Sequence, residues 1–128
     1  MRTLIKERIN GFGEFEFYEG YFIGRIDEGV DASFNFVDSL SKLIQRHFSN
    51  QPVIYISDRV NSYSLDPVAT MDLIARNNIC FAGVVIYTKL KKQVFSFEEE
   101  TIKGISMFYF DDLESAMIWA EQKLLKPN

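Results

Sequence analysis

The sequence predicts one α/β domain over residues 1–128, with a mixed sheet that begins as a β-hairpin and continues with parallel strands. Three observations lead to this fold class: an alternating segment with a turn near the start, three later apolar runs of strand length, and helical apolar periodicity around those runs. Strands that are separated by helices need crossover connections, and these produce parallel pairing. The predicted order is therefore a hairpin followed by αβαβαβα.

The hairpin is predicted from the alternation of phenylalanine and glutamate in residues 12–18, FGEFEFY. A period of two is typical of a strand with one buried face. Glu19-Gly20 then forms the turn, and Tyr21–Ile26 returns as the second strand. Residues 1–10 either add a short edge strand or lie outside the sheet.

The three later strands are predicted from apolar runs at Val53–Ile56, Ile79–Tyr87 and Ile105–Phe110. The second of these runs is apolar throughout, which is typical of a central strand covered on both faces. Cys80 lies inside this run, where we expect it to be buried as a small apolar residue.

Four helices are predicted around these strands. The first begins at a cap at Asp31 or Ser33, and the second has Asp66 as its N-cap with Pro67 in its first turn. The third covers Lys89 to about Thr101, and the fourth follows Asp111-Asp112. The predicted buried faces are Phe36, Val37, Leu40, Leu43, Ile44 and Phe48 in the first helix, Met71, Ile74 and Ala75 in the second, Leu90, Val94 and Phe97 in the third, and Leu113, Ala116, Met117, Ala120 and Leu124 in the fourth.

Charge and composition exclude several classes of protein. The net charge is −4, and the densest basic cluster, Lys89, Lys91 and Lys92, is more typical of a solvated helix face than of a nucleic-acid site. The N-terminus has no apolar stretch of signal-peptide length, and no apolar segment is long enough to span a membrane. We therefore expect a cytoplasmic protein that binds no nucleic acid and has no membrane span.

The side chains that support common catalytic or metal chemistry are scarce. His47 is the only histidine and lies in the last turn of a predicted helix, where a cation complements the helix dipole. One histidine and one cysteine cannot supply a zinc site. Glu98, Glu99 and Glu100 point in different directions on a helix and indicate a solvated face. We expect no catalytic residue, no cofactor and no metal.

The strongest candidate site is the loop between the strand at Val53–Ile56 and the helix at Pro67. Loops that follow strands in α/β sheets are where partners and ligands bind. Two alternatives to partner binding remain open at this point. In the first, Asp58 caps local backbone amides while Arg59 pairs with Asp66 or solvent; in the second, the Tyr63 ring folds over the apolar floor of the loop instead of stacking on a ligand. The residues predicted to bind a partner are Asp58, Arg59, Asn61, Tyr63 and Ser64.

The predicted order of strands and helices resembles the SpoIIAA-like fold of STAS domains, and the segment FDDLESAMIW at residues 110–119 is similar to the end of small bacterial STAS/SEC14-like proteins. In the anti-sigma-factor antagonists of this group, the loop before the second helix carries a phosphorylated serine or threonine. The resemblance implies Ser64, with Ser62 next, as the phosphorylation site. The chain departs from that pattern because the adjacent hydroxyls and the following glycine are absent.

These observations favour a bacterial, non-enzymatic protein-interaction module, regulatory in the manner of the antagonists, that uses the 58–66 loop. The alternative is a binder of a small apolar ligand or lipid in a cavity between helices and sheet, as the SEC14 side of the resemblance implies. An enzyme that uses Asp58, Arg59 and Tyr63 ranks last, since no nucleophile–base pair is visible. The edge of the aromatic-rich hairpin is a candidate for pairing into a homo-oligomer.

Overall fold

The computed structural model describes residues 4–125, which form a mixed six-stranded sheet with helices on both faces. A separate two-stranded sheet lies beside it. The strands are β1 (Ile5–Ile9), β2 (Gly13–Phe17), β3 (Tyr21–Ile26), β4 (Asp31–Ala32), β5 (Val53–Arg59), β6 (Ser64–Leu65), β7 (Ile79–Ile86) and β8 (Ser106–Phe110), and the helices are α1 (Phe34–Phe48), α2 (Pro67–Arg76), α3 (Lys89–Thr101) and α4 (Leu113–Leu125).

The main sheet has the strand order β1-β2-β3-β5-β7-β8. β1, β2 and β3 are antiparallel neighbours, whereas β3, β5, β7 and β8 are parallel. The predicted hairpin followed by parallel strands is therefore confirmed, and β1 adds the edge strand that the sequence left open. The small sheet pairs β4 with β6 in parallel and ties the start of α1 to the start of α2.

The sheet separates two apolar cores. On one face, Phe15, Phe17 and Phe22 from the hairpin pack with the buried stripe of α1 and with Ala69 and Leu73 of α2. On the other face, apolar residues of β3, β5 and β7 pack against Ala116 and Ala120 of α4. Because both faces are covered, alternate residues of a central strand enter different cores.

The predicted N-cap of α2 is confirmed, whereas the predicted buried positions of α2 and α4 are only partly correct. The Asp66 carboxylate accepts hydrogen bonds from the amides of Val68 (2.9 Å) and Ala69 (3.2 Å), as expected of an N-cap. The predicted burial of Ala75 is wrong, since Ala69 and Leu73 hold the buried positions of α2. Leu124 of α4, also predicted to be buried, is 42% exposed near the end of that helix.

Helix α3 has the predicted bounds, but the side of the helix that was predicted to be buried faces solvent. Leu90, Val94 and Phe97, predicted to be buried, are 70%, 50% and 68% exposed. Phe95 and Glu98 are buried instead. Phe95 packs on Val84 and Ile86 of β7, and Glu98 pairs with the buried guanidinium of Arg59.

Cys80 is exposed, so the prediction that it is buried is wrong. The pairing of β5 with β7 is irregular at this point, because Val53 pairs with Ile79 and Ile54 with Phe81, which leaves Cys80 without a partner in the register. A bulge of this kind redirects a side chain away from the regular alternation.

The close contact of α4 with β7 gives a first testable prediction. A methyl group added at Gly83 would lie 2.9 Å from Cζ3 of Trp119 and 3.2 Å from Cε2 of Phe110. We expect Gly83→Ala to lower the free energy of unfolding by about 1–3 kcal/mol because the ring must move. Urea denaturation followed by fluorescence of Trp119, the only tryptophan, measures this change.

The matched control is Ser106→Ala on the neighbouring strand β8, where the side chain is exposed. This variant should change stability by less than about 0.5 kcal/mol. Equal stability of the two variants would contradict the packing argument.

Candidate functional site

The end of β5 differs from the sequence prediction, because the strand continues through Ser57, Asp58 and Arg59. These three residues pair with Val84, Val85 and Ile86 of β7. Alternation along the strand directs Ser57 and Arg59 toward α3 and Asp58 toward the opposite face. Two polar clusters therefore form on the two faces of one strand end.

Arg59 forms a buried ion pair with Glu98 of α3. Its Nη2 donates to Oε1 of Glu98 at 2.7 Å and its Nη1 donates to Oε2 at 3.1 Å. Arg59 is 9% exposed and Glu98 is 8% exposed. A bidentate geometry suits the planar guanidinium, and each charge satisfies the other where water is excluded.

The hydroxyl groups of Ser57 and Tyr63 complete this cluster. The Nε of Arg59 donates to Oγ of Ser57 at 2.8 Å, and this hydroxyl lies 3.2 Å from that of Tyr63. The guanidinium carbon of Arg59 also lies 5.6 Å from the centre of the Tyr63 ring. Burial raises the pKa of Tyr63 and of the neighbouring Tyr55 above the usual range, so both phenols are neutral.

Asp58 anchors the second cluster, on the face covered by α4. Its Oδ2 accepts from Nε of Arg25 at 2.8 Å, and its Oδ1 accepts from the hydroxyl of Tyr87 at 2.6 Å. Arg25 also pairs with Glu16 of the hairpin. Burial and the nearby Asp58 carboxylate raise the pKa of Tyr87. Asp58 is 3% exposed, and its two hydrogen bonds join β5 to β3 and to the end of β7.

The segment that leaves β5, Val60–Ser64, is held by contacts on both sides. Nζ of Lys91 in α3 donates to the carbonyls of Arg59 (2.9 Å) and Asn61 (3.1 Å). The side-chain amide of Asn61 donates to the backbone carbonyl of Ile26 at 3.0 Å, and the backbone amide of Ser62 donates to Oε1 of Glu28 at 2.9 Å. The backbone of this segment is therefore fixed, whereas Val60 remains 48% exposed.

A shallow groove of about 140 Å³ separates this segment from α3. Asn61, Ser62 and Tyr63 line one side, and Leu90 and Val94 line the other. Arg59 and Glu98 form its floor. The groove thus combines a fixed polar wall with the exposed apolar side of a helix.

A second cavity lies between the sheet and helices α1 and α2. Its walls are mostly apolar, including Ile26, Phe36 and Leu73, and its volume is about 50 Å³. Such a volume admits a few water molecules. Sites for metabolites or lipids are larger, on the order of 300–1,000 Å³.

The structure places the predicted partner-binding residues in three different settings. Asp58 and Arg59 are buried and paired inside the protein, and both lie within β5, so the prediction that they belong to the loop after the strand is wrong. The Tyr63 ring lies against the Arg59 guanidinium and its hydroxyl reaches Ser57, so it is folded inward as the open alternative had it, but it packs on a polar cluster. Asn61 is partly buried, and Ser64 is exposed within β6.

Glu98 is the residue that sequence reasoning missed. The run of three glutamates indicated a solvated face, and this holds for Glu99 and Glu100 but not for Glu98. The available signal was its position three residues after Phe95, which places the two side chains on one side of the helix. Sequence spacing alone could not select that side as the buried one.

His47 lies away from this site. It pairs with Glu7 of β1 and its ring stacks on Phe17 with 4.0 Å between the centroids. It therefore connects α1 to the hairpin. No helix within residues 4–125 is both long and apolar enough to cross a membrane.

This architecture defines a SpoIIAA-like fold, as the sequence predicted. The chain is similar in structure to an uncharacterised DUF3478-family protein with a SpoIIAA-like fold from Shewanella loihica PV-4, with a TM-score of 0.55 and 12% sequence identity over 93% of each chain. No protein-family model and no curated protein sequence matches the chain. At this level of identity the likeness establishes the fold alone.

The buried ion pair gives the second testable prediction. Arg59→Met should lower the free energy of unfolding by about 3–5 kcal/mol, because Glu98 keeps a buried charge without a partner. The double variant Arg59→Met/Glu98→Leu should recover most of this loss, since neither charge remains. Chemical denaturation of the three proteins measures both effects.

Arg8→Met is the matched control, because Arg8 forms an exposed ion pair with Asp27. It should cost less than about 1 kcal/mol. A single Arg59 variant as stable as this control, or a double variant as unstable as the single one, would refute the assignment of a buried charge pair.

Proposed function

We propose that this protein is a non-enzymatic, regulatory protein-interaction module of the bacterial cytoplasm, and that it binds its partner through the α3 surface. We define the α3 surface as the exposed side of α3 together with the adjacent segment, namely Leu90, Val94, Phe97, Val60, Asn61 and Ser62. The observation that carries the proposal is the exposure of Leu90, Val94 and Phe97, which lie at helical spacing on one side of α3. An apolar stripe in this position is typical of an interaction site.

Rigidity supports this role. The Arg59–Glu98 pair holds α3 against the sheet, and Lys91 joins α3 to the carbonyls at the end of β5. Surfaces that are already ordered lose less conformational entropy when they bind. The buried residues of the predicted site, Asp58 and Arg59, therefore contribute by positioning the surface, and Asn61 is the predicted residue that belongs to it.

The chemistry of the surface favours a helical partner. The apolar stripe is one helix face wide, and lysines at the start of α3 and glutamates at its end flank it. A partner helix with apolar residues at the same spacing could cover the stripe and place charges opposite these groups.

The alternative function, binding of a small apolar ligand or lipid, is supported by the apolar walls of the cavity under α1 and α2. This cavity would have to expand severalfold to hold such a ligand. The α3 surface needs no rearrangement, and for this reason docking is the preferred function.

The third testable prediction concerns partner capture from the source cell. Leu90→Ser/Phe97→Ser should lose the partner that the wild-type protein retains, because the apolar anchors are removed without disturbing the core. Mass spectrometry of the retained proteins, including endogenous copies of this chain, provides the measurement.

Ile118→Ser on α4 is the matched control, since Ile118 is 48% exposed on the opposite face of the sheet. Its partner recovery should equal that of the wild type. Equal recovery by the α3 double variant would instead remove the case for this surface.

We also propose that phosphorylation at Ser64 or Ser62 regulates docking, as the resemblance to the antagonists implies. Both serines are exposed, and Ser62 belongs to the α3 surface. The amides at the start of α2 already bind the Asp66 carboxylate, so a phosphate would not take their place. Its effect would come from added negative charge beside the groove.

The fourth testable prediction is that the protein isolated from its own cells carries a phosphoryl group on one of these serines. Phosphopeptide mass spectrometry checks this prediction, with Ser106 as an exposed serine that should remain unmodified. Unmodified Ser62 and Ser64 at high peptide coverage would contradict it.

A further inference from the structure

We infer that the partner on the α3 surface is a second copy of this chain, bound by antiparallel pairing of α3 with the same helix of its partner. This inference rests on the proposed function, because it names the occupant of the same surface. Its basis is the order of apolar and charged residues along α3, which is complementary to itself when the helix is reversed.

The apolar stripe is nearly symmetric about Val94. Leu90 precedes Val94 by one turn, and Phe97 follows it by about one turn. If a two-fold axis passes beside Val94, each Leu90 faces the partner's Phe97 and the two Val94 side chains meet. A two-fold interface requires this kind of reciprocal contact, in which one patch is complementary to itself.

The flanking charges follow the same symmetry. Lys89 and Glu100 lie on the outer flank of the stripe, near its two ends, and both are exposed. In the antiparallel arrangement, each Lys89 approaches the partner's Glu100. A parallel two-fold pair would instead place the outer flanks of the two helices on opposite sides of the interface, so that neither Lys89 nor Glu100 would meet an opposite charge on the same flank of the partner.

Three other charged residues of α3 already have partners within the same chain. Lys91 donates to two carbonyls, Lys92 pairs with Asp111 at 3.4 Å, and Glu98 pairs with Arg59. Within residues 4–125, neither Lys89 nor Glu100 forms an ion pair. The charges that would flank a dimer are therefore available for it.

The edge strand β1 is a poorer place for self-pairing. Three consecutive residues of this five-residue strand are charged, namely Lys6, Glu7 and Arg8. Charged residues on an edge strand oppose the addition of another strand. The edge of the hairpin, considered from the sequence as an oligomer site, is thus less suitable than α3.

The expected dimer is weak. Helix α3 has 13 residues and is about 20 Å long, so the pair would bury less than the roughly 1,200 Å² of a standard stable interface. We therefore expect a dissociation constant in the micromolar range or above. Reversible dimerisation in this range depends on protein concentration.

The fifth testable prediction uses this self-complementary pattern in analytical ultracentrifugation of the purified full chain. The wild type should show a concentration-dependent monomer–dimer equilibrium. Phe97→Ser should weaken dimerisation by about 100-fold, because each dimer loses two buried rings. Lys89→Glu and Glu100→Lys should each weaken it by about tenfold, since each reversal places like charges together twice.

Mixing the two charge variants provides the decisive measurement. Lys89→Glu brings two glutamates to each contact and Glu100→Lys brings two lysines, so an equimolar mixture restores attraction at both ends of the helix pair. We expect the mixture to dimerise about as well as the wild type, and the double variant Lys89→Glu/Glu100→Lys to do so alone. Ile118→Ser should dimerise as the wild type does.

Two results would overturn this inference. The first is a wild type that remains monomeric at the highest concentration the protein tolerates. The second is a dimer that Phe97→Ser and the charge variants leave unchanged, since that dimer would use another surface. All of the substituted residues are exposed, and circular dichroism verifies that each variant folds.

The inference and the proposed function can fail separately. A monomeric protein that captures a different protein, and loses it in Leu90→Ser/Phe97→Ser, would disprove self-pairing and retain the α3 surface as the docking site. A dimer independent of α3, together with capture that the same variant does not affect, would disprove both.

Discussion

The buried ion pair between Arg59 and Glu98 is the constraint on which the exposed surface of this protein depends. Arg59 projects from the end of a central strand into the space between sheet and helix, where an unpaired charge would be costly. Glu98 supplies the opposite charge only if α3 turns Glu98 and Phe95 toward the sheet. Leu90, Val94 and Phe97 then face solvent. A single electrostatic requirement in the interior thus determines which apolar residues are available to a partner.

The end of β5 forms polar contacts on both faces of the sheet. Because alternate residues of the strand enter different faces, Asp58 bonds to Arg25 and Tyr87 on one side while Arg59 bonds to Glu98 on the other. The same three-residue strand end therefore fixes the hairpin, the end of β7 and helix α3. Catalytic sites also contain buried charges, but here each charged group has a protein partner within hydrogen-bond distance. This arrangement is typical of a structural anchor.

The α3 surface lies beside the segment that follows the central strand β5. Similarity to the Shewanella loihica protein extends over 93% of each chain and concerns the backbone arrangement. The apolar stripe and the charges on α3 are properties of this particular sequence. Function in such a scaffold resides in side chains at one surface and does not follow from the fold.

Local sequence determined the chain order of the helices and of the main-sheet strands, the hairpin and the N-cap at Asp66, because periodicity and capping depend on residues that are near one another in the chain. The two-residue strands β4 and β6 are too short to show a period. It also identified Val53–Ile56 as an interior strand. Only the tertiary structure decided that the strand continues to Arg59 and that α3 exposes its apolar stripe. The physical reason is that Arg59 and Glu98 are 39 residues apart in the sequence but in contact in the structure. Local sequence patterns do not indicate which distant residue pairs with a buried charge.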